Sequence, residues 1–153
     1  MIKTILLLAT LTGLFTSCST AEVKKKVEKH SPKIINGEEF FDGSQRRLAT
    51  GLEYQIIKPG SSQRPTKYKN VVVHYKGMFE NGIVFDSSYN RGKKAEFPLM
   101  RVIEGWREGI QFVGVGGKIH LKVPPKLGYG DKRVGSIPGG STLYFVVELF
   151  EVK

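Results

Sequence analysis

His74, Asp86 and Ser87 are the residue types of a nucleophilic triad, in which a histidine takes the serine proton and a carboxylate orients the ring. The local pattern works against that chemistry. A strand over 71–79 puts His74 on the face opposite Tyr75, and no nucleophile elbow is present. Gly114-Val115-Gly116-Gly117-Lys118 has part of a phosphate-binding pattern. It lacks the first glycine at the required spacing and a Ser or Thr after the lysine, and it leads into a strand. His30, His74 and His120 show no ligand spacing, and Cys18 has no second cysteine beside it. No metal and no cofactor are expected. Two aromatic residues say more. Trp106 is the only tryptophan, and it is either a core plug or the floor of a pocket. Tyr129 stands between Gly128 and Gly130 in a loop, where an aromatic ring lacks a packing partner of its own.

The elements that must position these rings follow from periodicity. Val102, Ile103, Trp106 and Ile110 fall on one side of a short helix within 102–110. The rest of 52–152 reads as strand, turn or loop. Strands are expected over 52–58, 71–79, 83–85, 95–99, 118–123 and 142–152. Val71, Val73, Tyr75 and Phe79 share one face of the second strand. Ile119, Leu121 and Val123 point inward from the fifth, with His120 and Lys122 outward. Glu80-Asn81-Gly82 is a hairpin turn, because Asn-Gly adopts positive φ cheaply. A sheet with one apolar face needs a cover, and the 102–110 helix is the only credible one. Residues 86–94 form a polar flap, and 126–141 a long glycine-rich loop of the kind that is functional or mobile.

Composition bounds the rest. The 153 residues suffice for one domain and a tail. Eighteen glycines favour turns and a β-rich fold. The net charge of +10 is scattered, apart from Lys24-Lys25-Lys26, with no recognition helix and no basic row interleaved with stacking aromatics. No nucleic-acid partner is expected. A charged start, an apolar run over 5–15 and small residues before Cys18 resemble a bacterial lipoprotein signal. The expected division is a signal peptide over 1–17, a polar lysine-rich tether over 18–49 and a domain over 50–153. Cys18 is then lipidated and the protein is exported, held at the outer membrane of a Gram-negative bacterium and facing the periplasm. The alternative is cleavage after Ser19-Thr20-Ala21, which frees a soluble periplasmic protein. In the tether, Phe40-Phe41 is the one hydrophobic point, with no docking place legible.

Val71-Val72-Val73-His74-Tyr75-Lys76-Gly77-Met78, Val84-Phe85-Asp86-Ser87-Ser88, Val102-Ile103-Glu104-Gly105-Trp106, Pro124-Pro125-Lys126-Leu127-Gly128-Tyr129-Gly130, Ile137-Pro138 and Thr142-Leu143-Tyr144-Phe145 closely resemble, in order and spacing, the FKBP-type peptidyl-prolyl isomerases. Gly51-Leu52-Glu53-Tyr54-Gln55 also resembles the macrophage infectivity potentiator branch. The resemblance implies an α+β fold, an antiparallel sheet of five to six strands wrapped around one short helix. It implies isomerisation of X–Pro bonds in exported proteins. Trp106 becomes the floor of an apolar cradle, with Tyr75, Phe85, Val102, Ile103, Ile137 and Phe145 as walls. Tyr129 offers a hydroxyl at the rim, Asp86 a carboxylate at the edge, and the Ile103 backbone N–H a donor to a ligand carbonyl. Proline-containing polypeptides and macrolide inhibitors are the implied ligands. The short tether leaves no room for long dimerising helices, so a monomer is expected. Ala95, Ser136 and Gly139 depart from the family's usual aromatic, apolar and proline residues, which keeps open a binding module that holds a partner without turning it over.

Overall fold

The structure is a computed structural model, and it describes residues 33–153. The leader, Cys18 and the Lys24–Lys26 run lie outside the described residues. Among the described residues nine strands and one α-helix follow in order: β1 (Lys33–Ile35), β2 (Glu38–Phe40), β3 (Arg46–Arg47), β4 (Glu53–Lys58), β5 (Asn70–Phe79), β6 (Val84–Ser87), β7 (Ala95–Pro98), α1 (Glu104–Gly109), β8 (Lys118–Val123) and β9 (Leu143–Val152). β3 to β9 make one antiparallel sheet in the order β3-β4-β8-β9-β5-β6, with β7 also paired to β5. The expected α+β class is the observed one, with the two-residue β3 as an extra edge.

β5 is central because its free edge is shared. Asn70 to Val73 pair with β7, and Lys76 to Met78 pair with β6. The gap between them is closed by Ser88. Its N–H donates to the Tyr75 carbonyl at 3.0 Å, and its hydroxyl accepts from the Tyr75 N–H at 2.7 Å. The backbone polar groups that lose a strand partner there are satisfied by one buried serine. β6 runs through Asp86 and Ser87, two residues into what the sequence reads as flap, because Asp86 pairs with Gly77 and Ser87 with Lys76.

The helix is shorter than the periodicity predicts. Val102 and Ile103 are extended, and one-turn 3₁₀ segments flank α1 at Leu99–Arg101 and Ile110–Phe112. Its apolar side still faces the sheet: Trp106 and Ile110 join Val71, Val73, Leu121, Val123 and Leu149 in the main core.

The described part of the 18–49 segment contains a hairpin that packs on the sheet. β1 and β2 form a hairpin around Asn36-Gly37, both at positive φ (50° and 75°), the geometry that Asn-Gly favours in a two-residue turn. The hairpin lies on the sheet face away from α1. Ile35, Phe40 and Phe41 bury against Met78, Tyr144 and Val146, the alternate residues of β5 and β9. The Phe41 N–H donates to Gln55 Oε1 at 2.9 Å. The Glu38 carboxylate lies between Lys76 Nζ at 3.5 Å and Lys118 Nζ at 3.7 Å. His120 points outward from β8 as expected, yet it is only 3% exposed because the hairpin covers it. Its ring stacks on Phe40 at 4.4 Å.

Burial, followed by the charge of Lys118, pushes the His120 pKa down to about 4, while Glu38 and the Glu39 backbone carbonyl oppose this more weakly. An unfolded histidine titrates near 6.5. Between those values the unfolded chain binds more protons than the folded one, so stability falls as pH drops through this window. The full loss is about 3 kcal/mol. Melting midpoints are expected to fall between pH 7 and 5 in the native chain and to change less in His120→Phe, which keeps the stack on Phe40. Equal slopes for the two proteins would assign the pH sensitivity to other groups.

Candidate functional site

A cavity of about 250 Å³ opens beside α1, with Trp106 at its base. The indole is 4% exposed. Three rings meet it edge-on: Tyr75 at 5.1 Å and 84°, Phe145 at 5.4 Å and 83°, and Phe97 at 5.7 Å and 85°. Edge-to-face contacts of this kind fix ring orientation beyond simple area burial. The indole Nε1 is buried without a hydrogen-bond partner among the described residues, so within them packing alone holds the ring. Phe85 continues the wall, edge-on to Phe145 at 5.7 Å and 89°.

Glycines make this packing possible. A Cβ on Gly77 would sit 2.7 Å from Phe85 Cζ and 2.9 Å from Phe145 Cε1, so both rings lie across its bare backbone. On α1, a Cβ on Gly105 would lie 2.6 Å from Val123 Cγ1, and one on Gly109 2.5 Å from Leu121 Cδ2. The helix therefore rests directly on β8, and this sets the height of Trp106. Glycine inside a helix costs about 1 kcal/mol relative to alanine, and the close approach is what it makes possible here.

The polar edge is built on Tyr75 and Asp86. The Tyr75 hydroxyl donates to Asp86 Oδ2, and Arg91 binds Asp86 Oδ1. Arg91 also donates to the Tyr75 hydroxyl at 2.7 Å. Burial raises the Asp86 pKa, but the bonds from Tyr75 and Arg91 outweigh it, so the net shift is downward and the carboxylate stays ionised. Burial and then the bond to Asp86 push the Tyr75 phenol up to about 12. Tyr129 lines the cavity with 40% of its surface exposed. Burial of its hydroxyl, helped by the Asp86 charge, raises its pKa and keeps it a neutral donor. The Ile103 carbonyl accepts from Trp106 N–H and Arg107 N–H, while the Ile103 N–H makes no backbone hydrogen bond among the described residues.

The structure thus brings Trp106, Tyr75, Phe85, Asp86, Val102, Ile103, Tyr129 and Phe145 around one hollow. Ile137 is not among them. It exchanges backbone hydrogen bonds with Val134, both at 2.9 Å, and its side chain is buried in the main core. It shares that core with Tyr75, Trp106 and Phe145. Phe97 and Arg101 line the cavity without having been singled out from sequence. Phe97 was legible in principle, since its register partner Val71 faces the core. Arg101 carried no sequence signal beyond its position just before Val102. Gly139 has a local cause: a Cβ there would fall 1.9 Å from the Asp131 carbonyl oxygen. His74 contacts Ser88 at 2.9 Å rather than Ser87, and that hydroxyl is committed to the Tyr75 backbone. Among the described residues no group of three or more His, Cys, Asp or Glu side chains is placed to hold a metal ion, and no helix is long and apolar enough to cross a membrane.

The family model described as FKBP-type peptidyl-prolyl cis-trans isomerase matches residues 61–150. The chain belongs to this family. It is 48% identical over 139 residues to the FKBP-type peptidyl-prolyl cis-trans isomerase FkpA of Escherichia coli K12, covering 90% of this chain and 52% of that protein. The Buchnera aphidicola (subsp. Schizaphis graminum) FkpA is 46% identical over 108 residues, or 70% of this chain and 43% of the relative. The chain thus spans about half the length of these curated relatives. Among solved structures, Escherichia coli FkpA superposes with a TM-score of 0.71 at 45% identity, over 72% of this chain and 52% of that one. The crystal structure titled AtFKBP13 superposes with a TM-score of 0.65 at 35% identity, over 71% of this chain and 98% of that one. The matched range 61–150 contains β5 to β8, α1 and most of β9, with the loops that surround Trp106.

Gly109→Ala tests the seat of the helix. The added methyl must displace Leu121, a core residue with no exposed surface, so a loss of about 1–3 kcal/mol in urea unfolding is expected. Since Trp106 is the only tryptophan, its emission should shift in the same variant. An unchanged stability and spectrum would show that the contact is not constrained.

Proposed function

We propose that this chain is a peptidyl-prolyl cis-trans isomerase acting on exported proteins, and that the Trp106 cavity is its active site. The observation that carries the reading is a hollow floored by Trp106 and walled by Tyr75, Phe85, Phe97 and Phe145, with polar groups from Asp86, Arg101 and Tyr129 also in its lining. Amide resonance sets a barrier of about 18–20 kcal/mol to rotation of an X–Pro bond, and uncatalysed exchange takes tens to hundreds of seconds. Neither a nucleophile nor a metal is needed to lower it. The planar amide is the more polar state, and the twisted one has lost its resonance charge separation. A water-poor pocket favours the twisted state relative to solvent. The prolyl ring rests on Trp106 between Tyr75, Phe97 and Phe145, while the carbonyl before it swings. The Ile103 N–H and the Tyr129 hydroxyl hold the peptide on either side of the rotating bond. Lowering the barrier by about 4 kcal/mol gives roughly a thousandfold acceleration. Macrolides with a proline-like ring would compete for the same floor.

The role of Asp86 is electrostatic in this reading. Its charge, held by Tyr75 and Arg91, lies at the cavity edge where the carbonyl dipole turns. The likeness of Gly51 to Gln55 supports placing the chain near the macrophage infectivity potentiator branch. The apolar run before Cys18 supports an exported, lipid-anchored monomer facing the periplasm. The mass of the mature N-terminus tests this directly. Acyl chains on Cys18 are expected, and a plain start at Glu22 would rule out the anchor.

Exchange NMR on a proline tetrapeptide tests the activity. Trp106→Ala is expected to lower kcat/KM by about tenfold or more, and Tyr129→Phe by the worth of one hydrogen bond, about three- to tenfold. Asp86→Ala should lose activity while remaining folded. A native chain that binds the peptide but does not accelerate exchange would instead establish the family-fold binding module.

A further inference from the structure

Two charged side chains line the cavity, Asp86 and Arg101, and their situations differ. Asp86 is occupied by the Tyr75 hydroxyl and by Arg91, so its charge is already answered. Arg101 ends the 3₁₀ turn two residues before Ile103, and it is exposed. Among the described residues it takes part in no ion pair. The nearest acid in sequence, Glu104, is held by Arg107 at 2.6 Å. The loop that carries Tyr129 adds Lys132 and Arg133 against a single Asp131. The hollow is thus apolar at its base and carries one uncompensated cation on its wall.

A prolyl ring has no charge and makes no use of a guanidinium. The residues flanking the proline must pass the wall on their way out of the hollow. We propose that Arg101 is a specificity-determining residue that selects proline sites flanked by Asp or Glu. This rests on the isomerase reading and adds a substrate class to it. A side-chain carboxylate beside the proline meets a planar fork of donors suited to bind it bidentately. A lysine in the same place meets a like charge. The contact is at a wet rim, so its worth is that of a screened pair, on the order of fivefold in rate.

Exchange NMR on two series of capped tetrapeptides tests this. One series varies the residue before proline and the other the residue after it, each as Glu, Leu or Lys. The native chain is expected to catalyse Glu over Lys by about three- to tenfold in at least one series, and the responding series locates the subsite. The ratio should collapse towards one in Arg101→Gln, invert in Arg101→Glu, and shrink in high salt. Each ratio is taken within one variant, so a general loss of activity does not imitate it. A Glu-to-Lys ratio of one in the native chain, or the same ratio in Arg101→Glu, would overturn the proposal. No catalysis of the Leu peptides would instead overturn the isomerase reading itself.

Discussion

The backbone of α1 touches β8 with nothing in between. Gly105 sits on Val123 and Gly109 on Leu121, at distances that leave no room for a methyl group. That contact sets where a six-residue helix can lie, and so how far the only indole stands from the sheet. The three rings that meet Trp106 edge-on come from β5, β7 and β9, elements distant in sequence. Their convergence requires the helix to be low and the strands to be in register. The cavity is therefore a property of the sheet and the helix together, with no single loop able to create it.

The same economy appears on β5. Ten residues serve three neighbours, with β9 along one edge and β6 and β7 sharing the other. Where the shared edge is interrupted, Ser88 supplies the missing partner and the chain turns out into the flap. Tyr75 is located at that interruption. Its ring joins the wall of the hollow, and its hydroxyl reaches Asp86 and Arg91 at the margin. The apolar interior and the polar edge are thus tied through one residue.

Much of this was legible beforehand, for physical reasons that differ by element. Ile119, Leu121 and Val123 of β8 and Leu143, Phe145, Val147 and Leu149 of β9 recur at every second position because they face the main core, while Tyr144 and Val146 on the other face of β9 are buried under the β1–β2 hairpin. Their period of two survives any local context. The Asn81-Gly82 turn was read correctly, with Gly82 at φ +84°. The same dipeptide turns β1 into β2 at Asn36-Gly37, where the flanking strands offer little pattern. Alternation in β1 and β2 spans only three residues each, too few to count. His120 illustrates a different limit. Its face could be assigned from the strand period, but its burial depends on a hairpin eighty residues earlier in the chain. Arg101 shows a third limit. Which way a side chain leaves a 3₁₀ turn follows from backbone angles that no periodic pattern encodes.

The β1–β2 hairpin changes what counts as the smallest self-sufficient piece of this protein. A fragment begun at residue 50 would strip Ile35, Phe40 and Phe41 from the sheet and bare Met78, Tyr144 and Val146 together. Those three form a contiguous greasy patch on twisted strands, the kind of surface through which isolated domains stick to one another. Trimming the chain to residues 50–153 would therefore yield a sticky particle, whereas a cut ahead of Lys33 leaves the back of the sheet sealed.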